Sequence, residues 1–215
     1  SRLAAFGMTS KNSQKVSEDE GIRSLIEANT PVITIVGKTW DFHVRDVLGV
    51  SNDENLKMIS NTIKFLTDQG KSVIYDAEHF FDGYKENPSY ATKTLQAALE
   101  AHADKVVLCD TNGGTLYYEV QQIIKELKSS MGNIPFGIHT HNDAGMAVPN
   151  ALEAIRQGAE QVQGTINGVG ERCGNADLIT IIANLFFKMD FEVLNGESSI
   201  KGLTKLSRYV NKIAN

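Results

Sequence analysis

The chain contains 215 residues, of which 41% are hydrophobic and 22% are charged, and its formal net charge is −5. This length can bury the core of one domain, and the acidic balance argues against a nucleic-acid surface, which needs clustered lysine and arginine. The apolar stretches are far shorter than the roughly 20 residues that cross a bilayer, and two cysteines are too few for a disulfide framework, so we expect a soluble, cytoplasmic protein without a membrane partner.

Short apolar strands alternate with helical segments along the chain. Strands are predicted over 3–9, 31–37, 71–78, 105–111, 135–142 and 161–167. Their near-continuous apolar runs are typical of parallel strands that are covered on both faces. Helices are predicted over 17–29, 51–70, 90–103, 118–131, 145–158 and 176–189, and a last amphipathic helix over 200–215.

Capping patterns support the first two helices. Ser17 and Ser51 each stand three residues before a glutamate, Glu20 and Glu54, which predicts a capping box at both helix starts. Gly70 follows the second helix, where a left-handed C-terminal cap belongs.

This βα rhythm fits an open doubly wound sheet or part of a (β/α)₈ TIM barrel. Polar groups favour the barrel, because nearly every predicted strand delivers them at its carboxyl end, where a barrel gathers them around one site. They are Thr9, Lys38, Thr39, Asp76, Glu78, Asp110, Thr111, Asn112, His139, His141, Asn142 and Asn167. Since a barrel needs eight strands, we predict an α/β TIM barrel that lacks its first two βα units. Residues 1–190 would form this partial catalytic domain, and residues 191–215 the start of a C-terminal linker or subdomain helix.

The segment GIHTHNDAG, residues 137–145, places His139 and His141 two positions apart at a strand end. Side chains alternate along a strand, so both imidazoles should point to the same side, which can be the barrel interior. Two converging imidazoles suit a divalent metal. The alternative is one histidine bonded to a carboxylate and one exposed at the strand end.

Three glycines, Gly168, Gly170 and Gly174, lie in the segment NGVGERCGN after the last predicted strand. Such a loop can fold closely over a ligand, because glycine adopts backbone conformations that other residues resist. The alternative is a structural turn that ends in a helix N-cap at Asn175.

Together, HTHND and NGVGERCGN resemble the acyl-CoA-dependent aldol and Claisen superfamily of metal-dependent barrels. This superfamily includes 2-isopropylmalate, homocitrate and citramalate synthases and HMG-CoA lyase. The resemblance covers essentially the whole chain. The segments TPVITIVGKTWDFHV, VIYDAEHFFDGYKENPSYATKTLQAA and VVLCDTNGGTLYYEV are most similar to the citramalate synthase branch.

The resemblance implies roles for individual residues. His139, His141 and Asn175 match the ligands of a divalent metal, which could be Mn²⁺, Zn²⁺, Co²⁺ or Mg²⁺. Thr111 matches a threonine that contacts the carboxylate of a 2-oxo acid. Glu78 matches an acidic residue placed near the acetyl group, which makes it the candidate catalytic base.

Other residues carry weaker predictions. The loop with Gly168, Gly170 and Gly174 would lie against the acyl-CoA. His43 is a candidate substrate-binding residue, with a surface histidine as the alternative. His79 should point away from the side of Glu78 if the strand continues past it.

Family members open with a D-x-T-L-R-D-G strand that supplies a metal-binding aspartate and a catalytic arginine, and this sequence has no match to it. We therefore expect a catalytic-domain fragment that is inactive alone, from a homodimeric synthase that condenses acetyl-CoA with a 2-oxo acid. Pyruvate, giving citramalate, is the first candidate, and 2-oxoisovalerate, giving 2-isopropylmalate, is the second; both belong to branched-chain amino-acid biosynthesis. The alternatives are an HMG-CoA lyase-like carbon–carbon lyase and a non-catalytic remnant of the barrel.

Overall fold

The computed structural model of the protein describes residues 3–11, 15–194 and 197–214. Its six parallel strands form one sheet in the order β1-β2-β3-β4-β5-β6. The strands are β1 Ala4–Met8, β2 Val32–Lys38, β3 Ser72–Glu78, β4 Lys105–Asp110, β5 Phe136–Thr140 and β6 Gln161–Gln163. The sheet is a half-barrel, which confirms the predicted partial TIM barrel.

Helices follow the strands along the chain. They are α1 Glu20–Glu27, α2 Asp41–His43, α3 Asn52–Asp68, α4 Phe80–Glu86, α5 Pro88–Glu100, α6 Tyr117–Met131, α7 Ala147–Arg156, α8 Leu178–Lys188, α9 Glu197–Lys201 and α10 Leu203–Ala214. The short helices α2 and α4 were not predicted. Helix α4 forms because tertiary packing buries Phe80 and Phe81 completely, not because it carries a long apolar period.

The predicted last helix, 200–215, is two helices in the structure. Gly202 separates α9 from α10, and its N–H donates to the carbonyl of Ser199. Helix α10 docks on the loop after β6, where the Asn167 side-chain amide donates to the Ser207 carbonyl at 2.9 Å and to Asn211 Oδ1 at 2.8 Å. Within the predicted segment 191–215, residues 195, 196 and 215 lie outside the described ranges.

One of the two predicted capping boxes is correct. Ser51 Oγ accepts from the N–H of Glu54 at 3.2 Å, and the Glu54 carboxylate accepts from the N–H of Ser51 at 2.8 Å. The box at Ser17 is wrong. Ser17 lies in a 3₁₀ turn, and α1 is capped by Asp19, whose extended backbone and short carboxylate meet the N–H of Ile22. Gly70 adopts the expected left-handed conformation, with φ of 74°.

The last strand is shorter than predicted, because β6 ends at Gln163. After it the chain turns, and the backbone of Ala176 comes so close to Gly164 that a side chain could not fit there. Asn167, predicted as a strand-end residue, lies in a left-handed turn with φ of 63°.

The two faces of the sheet have different chemistry. Ile35, Tyr75 and Ile138 are fully buried in the core against the helices. Because side chains alternate along a strand, Asp76 and His139 lie on the opposite, interior face of the half-barrel. No helix in the described part of the chain has the length and apolar character of a membrane-crossing segment.

Candidate active site

The carboxyl end of β5 places His139 and His141 side by side, with their rings stacked and the centroids 5.1 Å apart. Asn175, from the loop after β6, forms an antiparallel bridge with His141. Its Oδ1 lies 3.1 Å from Nε2 of His139. The structure therefore brings together the three residues that were predicted as metal ligands.

The hydrogen-bonding needs of these residues fit a bound cation. His139 stands between two oxygens, with Nδ1 2.7 Å from Oε1 of Gln163 and Nε2 facing Asn175 Oδ1. A neutral imidazole can donate to only one of them. If Nδ1 donates to Gln163, the lone pair of Nε2 faces a lone pair of Asn175 Oδ1. Nδ1 of His141 is buried and has no hydrogen-bond partner among the described residues. Two imidazoles and an amide oxygen with unused lone pairs are a suitable donor set for a divalent metal.

The described ranges hold no group of three His, Cys, Asp or Glu side chains that could bind a metal. The candidate site is not such a group, because its third donor is the amide oxygen of Asn175. Burial, followed by the neighbouring His139 and Arg172, lowers the pKa of His141. The neutral imidazole, the form that binds metals, is thereby favoured.

The glycines after β6 let the loop close around Asn175. A side chain at Gly170 would collide with the Asn175 amide, and one at Gly174, where φ is 98°, would collide with the carbonyl of Gly168. The alternative of an N-cap at Asn175 is wrong, because α8 is capped by Asp177, whose carboxylate accepts from the N–H of Ile179 at 3.0 Å. The contact of this loop with acyl-CoA stays a prediction.

Arg172 ties this loop to two neighbouring loops. Its guanidinium donates to both carboxylate oxygens of Asp143 at 2.9 Å and to the carbonyl of Thr111 at 2.7 Å. Arg172 itself has φ of 53°, which is uncommon for a residue with a side chain. The loops after β4, β5 and β6 are thus joined beside the histidine pair.

A second polar group lies at the ends of β2 and β3. Lys38 and Glu78 are paired in the strand register, and their side chains form an ion pair. The ring of His43, on α2, meets the ring of His79 edge-on with centroids 4.4 Å apart. Burial, followed by His79 and Lys38, lowers the pKa of His43, and its Nδ1 is buried without a hydrogen-bond partner in the described ranges.

His79 does not follow the strand alternation, because β3 ends at Glu78 and His79 adopts a left-handed conformation with φ of 53°. His79 was predicted to point away from the side of Glu78 only if the strand continued past it, and the strand does not continue. Glu78 and His79 both act electrostatically on His43. Thr111 lies between the two polar groups. Its hydroxyl accepts from the N–H of His79 at 2.8 Å, and its carbonyl accepts from Arg172.

Comparisons with known proteins agree with this architecture. A family model described as HMGL-like matches residues 11–210. The chain belongs to the HMGL-like family. It is 53% identical over 214 residues to the (R)-citramalate synthase of Aquifex aeolicus, a match that covers 100% of this chain and 40% of that protein.

A more distant relative of this HMGL-like chain is the probable 2-isopropylmalate synthase of Methanopyrus kandleri, which is 33% identical and matches 89% of the chain and 37% of the relative. Among solved structures, the Bacillus subtilis HMG-CoA lyase superposes with a TM-score of 0.78 at 17% identity, covering 96% of this chain and 69% of that one. The lyase likeness shows a shared fold. The chain spans about 40% of the length of the (R)-citramalate synthases that it matches.

Sequence reasoning missed four residues of this HMGL-like site. They are Lys38 and Asp76, noted only as polar strand ends, and Gln163 and Arg172, to which no role was given. The Gln163 side-chain amide donates to Asp76 Oδ1 at 2.9 Å and accepts from His139. The alternation of β6 places Gln163 on the interior face, but only the folded sheet shows that it reaches Asp76 on β3.

Replacing Gly170 by alanine should displace Asn175 and lower the affinity for a divalent metal by about 10- to 100-fold. The reason is steric, since the new methyl group would occupy the space of the Asn175 amide. Calorimetric titration with Mn²⁺ measures the effect. Gly114→Ala is the matched control, because a methyl group there has no neighbour within 4 Å among the residues that the structure describes. Equal affinities for the two variants would contradict the role of Gly170.

Asp76 should make the stability of the fold depend on pH. Burial raises the pKa of Asp76 from 3.8 to about 6. The folded state therefore holds this proton over a range in which the unfolded state has lost it, and the free energy of unfolding falls as pH rises from about 4 to about 6. Over the whole titration, from about pH 3 to about pH 7, the Asp76 contribution to that fall is roughly 3 kcal/mol.

Asp76→Asn removes this titration, so the variant should gain stability relative to the unchanged protein as pH rises from about 4 to about 7. Urea denaturation across that range measures the difference. Asp68→Asn, a substitution at an exposed position of α3, serves as the control. A stability difference between Asp76→Asn and the unchanged protein that stays constant with pH would contradict the raised pKa.

Proposed function

We propose that residues 1–215 form part of the catalytic barrel of a synthase that condenses acetyl-CoA with a 2-oxo acid by a Claisen reaction. The observation that carries the proposal is the convergence of His139, His141 and Asn175, in which Nδ1 of His141 has no hydrogen-bond partner among the described residues. Pyruvate is the proposed 2-oxo acid, because the chain is 53% identical to an (R)-citramalate synthase and 33% identical to a probable 2-isopropylmalate synthase. 2-Oxoisovalerate is the second candidate.

His139, His141 and Asn175 would hold the divalent metal, with Mn²⁺, Zn²⁺, Co²⁺ and Mg²⁺ as candidates. When bound, such an ion supplies a Lewis acid that polarises a ketone oxygen. Nδ1 of His141 has no hydrogen-bond partner among the described residues and lies 3.9 Å from the Glu171 carboxylate. This nitrogen and the amide oxygen of Asn175 support the assignment.

Glu78 is the proposed base. A Claisen condensation needs a group that removes a proton from the acetyl methyl carbon, so that this carbon can attack the ketone carbon of the 2-oxo acid. The Glu78 side chain is 25% exposed and lies at the carboxyl end of β3, where the strand opens toward the loops. Its ion pair with Lys38 holds the carboxylate in one place.

Thr111 and His43 are the proposed contacts of the 2-oxo acid carboxylate. The hydroxyl of Thr111 can donate to an anion, and so can Nδ1 of His43, which has no hydrogen-bond partner in the described part of the chain. The positive charge of Lys38 also acts on His43. The loop with Gly168, Gly170 and Gly174 is proposed to lie against the acyl-CoA.

Water then cleaves the thioester of the condensation product and releases the thiol of coenzyme A, so the test is an assay of the full-length gene product for thiol release from acetyl-CoA. Release should require pyruvate, stop when a chelator removes metal and return when Mn²⁺ is added. Cleavage of HMG-CoA without pyruvate-dependent thiol release would favour a lyase, and neither activity would favour a non-catalytic protein. The homodimer implied by the family resemblance remains part of the proposal, and light scattering of the same preparation tests it.

A further inference from the structure

Two interior side chains join strands that are not neighbours in the sheet. Asp76 lies on β3 and Gln163 on β6, with β4 and β5 between them. The Gln163 amide nitrogen is 2.9 Å from Asp76 Oδ1, and its oxygen is 2.7 Å from Nδ1 of His139. Asp76 is 4% exposed. The three side chains form a hydrogen-bonded chain across the interior of the half-barrel.

The direction of this chain is set by Asp76. An ionised carboxylate can only accept hydrogen bonds, so the Gln163 amide must turn its NH₂ group toward Asp76. Its oxygen then faces His139, whose Nδ1 must carry a proton in order to donate. A neutral imidazole with a proton on Nδ1 has its lone pair on Nε2.

We propose that Asp76 and Gln163 are positioning residues that fix the tautomer and the ring orientation of His139, so that Nε2 presents its lone pair toward Asn175. This inference rests on the proposed metal site, for which that lone pair is needed. Hydrogen bonds to the ring nitrogen that does not bind the metal commonly orient metal-binding histidines in this way. Here the carboxylate acts through an intervening amide.

Burial disfavours the charged form of Asp76 and raises its pKa, while the hydrogen bond from Gln163 favours the charged form. The geometry passes the effect of the carboxylate through Gln163 to the proton on His139. Without Asp76, the Gln163 amide could rotate and donate to Nδ1. The proton would then move to Nε2, where Asn175 Oδ1 at 3.1 Å can accept it.

The tautomer can be measured in the metal-free chain. The sequence has five histidines, so a long-range ¹H–¹⁵N spectrum of protein labelled at histidine is simple, and His139→Gln assigns the signals. At about pH 8.5, where imidazoles are normally neutral, His139 should show a protonated Nδ1 and an unprotonated Nε2. Asp76→Asn and Gln163→Leu should shift the population toward a protonated Nε2.

A double variant provides the rescue. In Asp76→Asn with Gln163→Glu, the new carboxylate accepts from both sides, from the asparagine amide and from His139 Nδ1. Position 163 again accepts from His139 Nδ1, as in the unchanged chain. The two positions together still carry one negative charge. The tautomer should therefore return to that of the unchanged chain, although both residues of the relay differ. A merely structural role would make the double variant at least as perturbed as Asp76→Asn.

Metal affinity is the second measurement. In the full-length gene product, Mn²⁺ binding, followed by the electron paramagnetic resonance of the free ion, should weaken by about 10- to 100-fold in Asp76→Asn and recover in the double variant. An unchanged tautomer in Asp76→Asn and Gln163→Leu would overturn the relay, whatever the affinity. If the tautomer changes as expected but the unchanged full-length gene product binds no Mn²⁺, the relay stands and the proposed metal site fails.

Discussion

Replacing His141 by leucine should lower Mn²⁺ affinity by at least about 100-fold and leave the metal-free fold no less stable than before. The two effects differ because His141 is buried and its Nδ1 has no hydrogen-bond partner among the described residues. An apolar side chain of similar size removes this unsatisfied polar atom, which is worth roughly 1–3 kcal/mol when buried. It also removes a proposed metal ligand. Calorimetric Mn²⁺ titration of the full-length gene product and urea denaturation of its metal-free form measure both.

In the full-length gene product, the same substitution should reduce pyruvate-dependent thiol release to background. His102→Asn is the control, because His102 is exposed at the end of α5 and has φ of 70°, a conformation that asparagine tolerates. If His141→Leu bound Mn²⁺ as tightly as His102→Asn, His141 would not be a ligand. If His141→Leu strongly destabilised the metal-free fold, the imidazole would have a structural role.

The sequence predicts the order and type of the elements well, because long apolar runs and their spacing depend on local residues. It predicts the ends of elements less well. Asp19, not Ser17, caps α1, and β6 ends four residues before the predicted boundary because the backbone near Ala176 packs against Gly164. Such ends depend on contacts with distant parts of the chain, which the local pattern does not contain.

The same limit applies to the candidate site. The two-residue spacing of His139 and His141 predicts one shared face, and the loop that ends in Asn175 could be recognised from its motif. The bond from Gln163 to Asp76 spans 87 residues, and the pairing of Lys38 with Glu78 requires the strand register. The proposed ligands could therefore be predicted individually. The hydrogen bond between Gln163 and Asp76 and the ion pair between Lys38 and Glu78 could not.

Glu78→Gln should lower kcat of the full-length gene product by about 10²- to 10⁴-fold with little change in KM, if Glu78 removes the methyl proton. Glutamine keeps the shape of the side chain and loses the basic oxygen. With acetyl-CoA deuterated at the methyl group, the isotope effect on kcat should increase, because proton removal becomes slower than the other steps. Steady-state kinetics with both forms of acetyl-CoA measure these changes.

Lys38→Met separates proton transfer from a structural use of the ion pair. Both substitutions remove the ion pair between Lys38 and Glu78, but only Glu78→Gln removes the carboxylate. If Glu78 serves only to hold Lys38 in place, the two variants should lose similar amounts of kcat and show the same isotope effect. If Glu78 is the base, Lys38→Met should keep most of the kcat that Glu78→Gln loses. In that case Lys38 helps to orient the Glu78 carboxylate, and the carboxylate can still remove the proton without it.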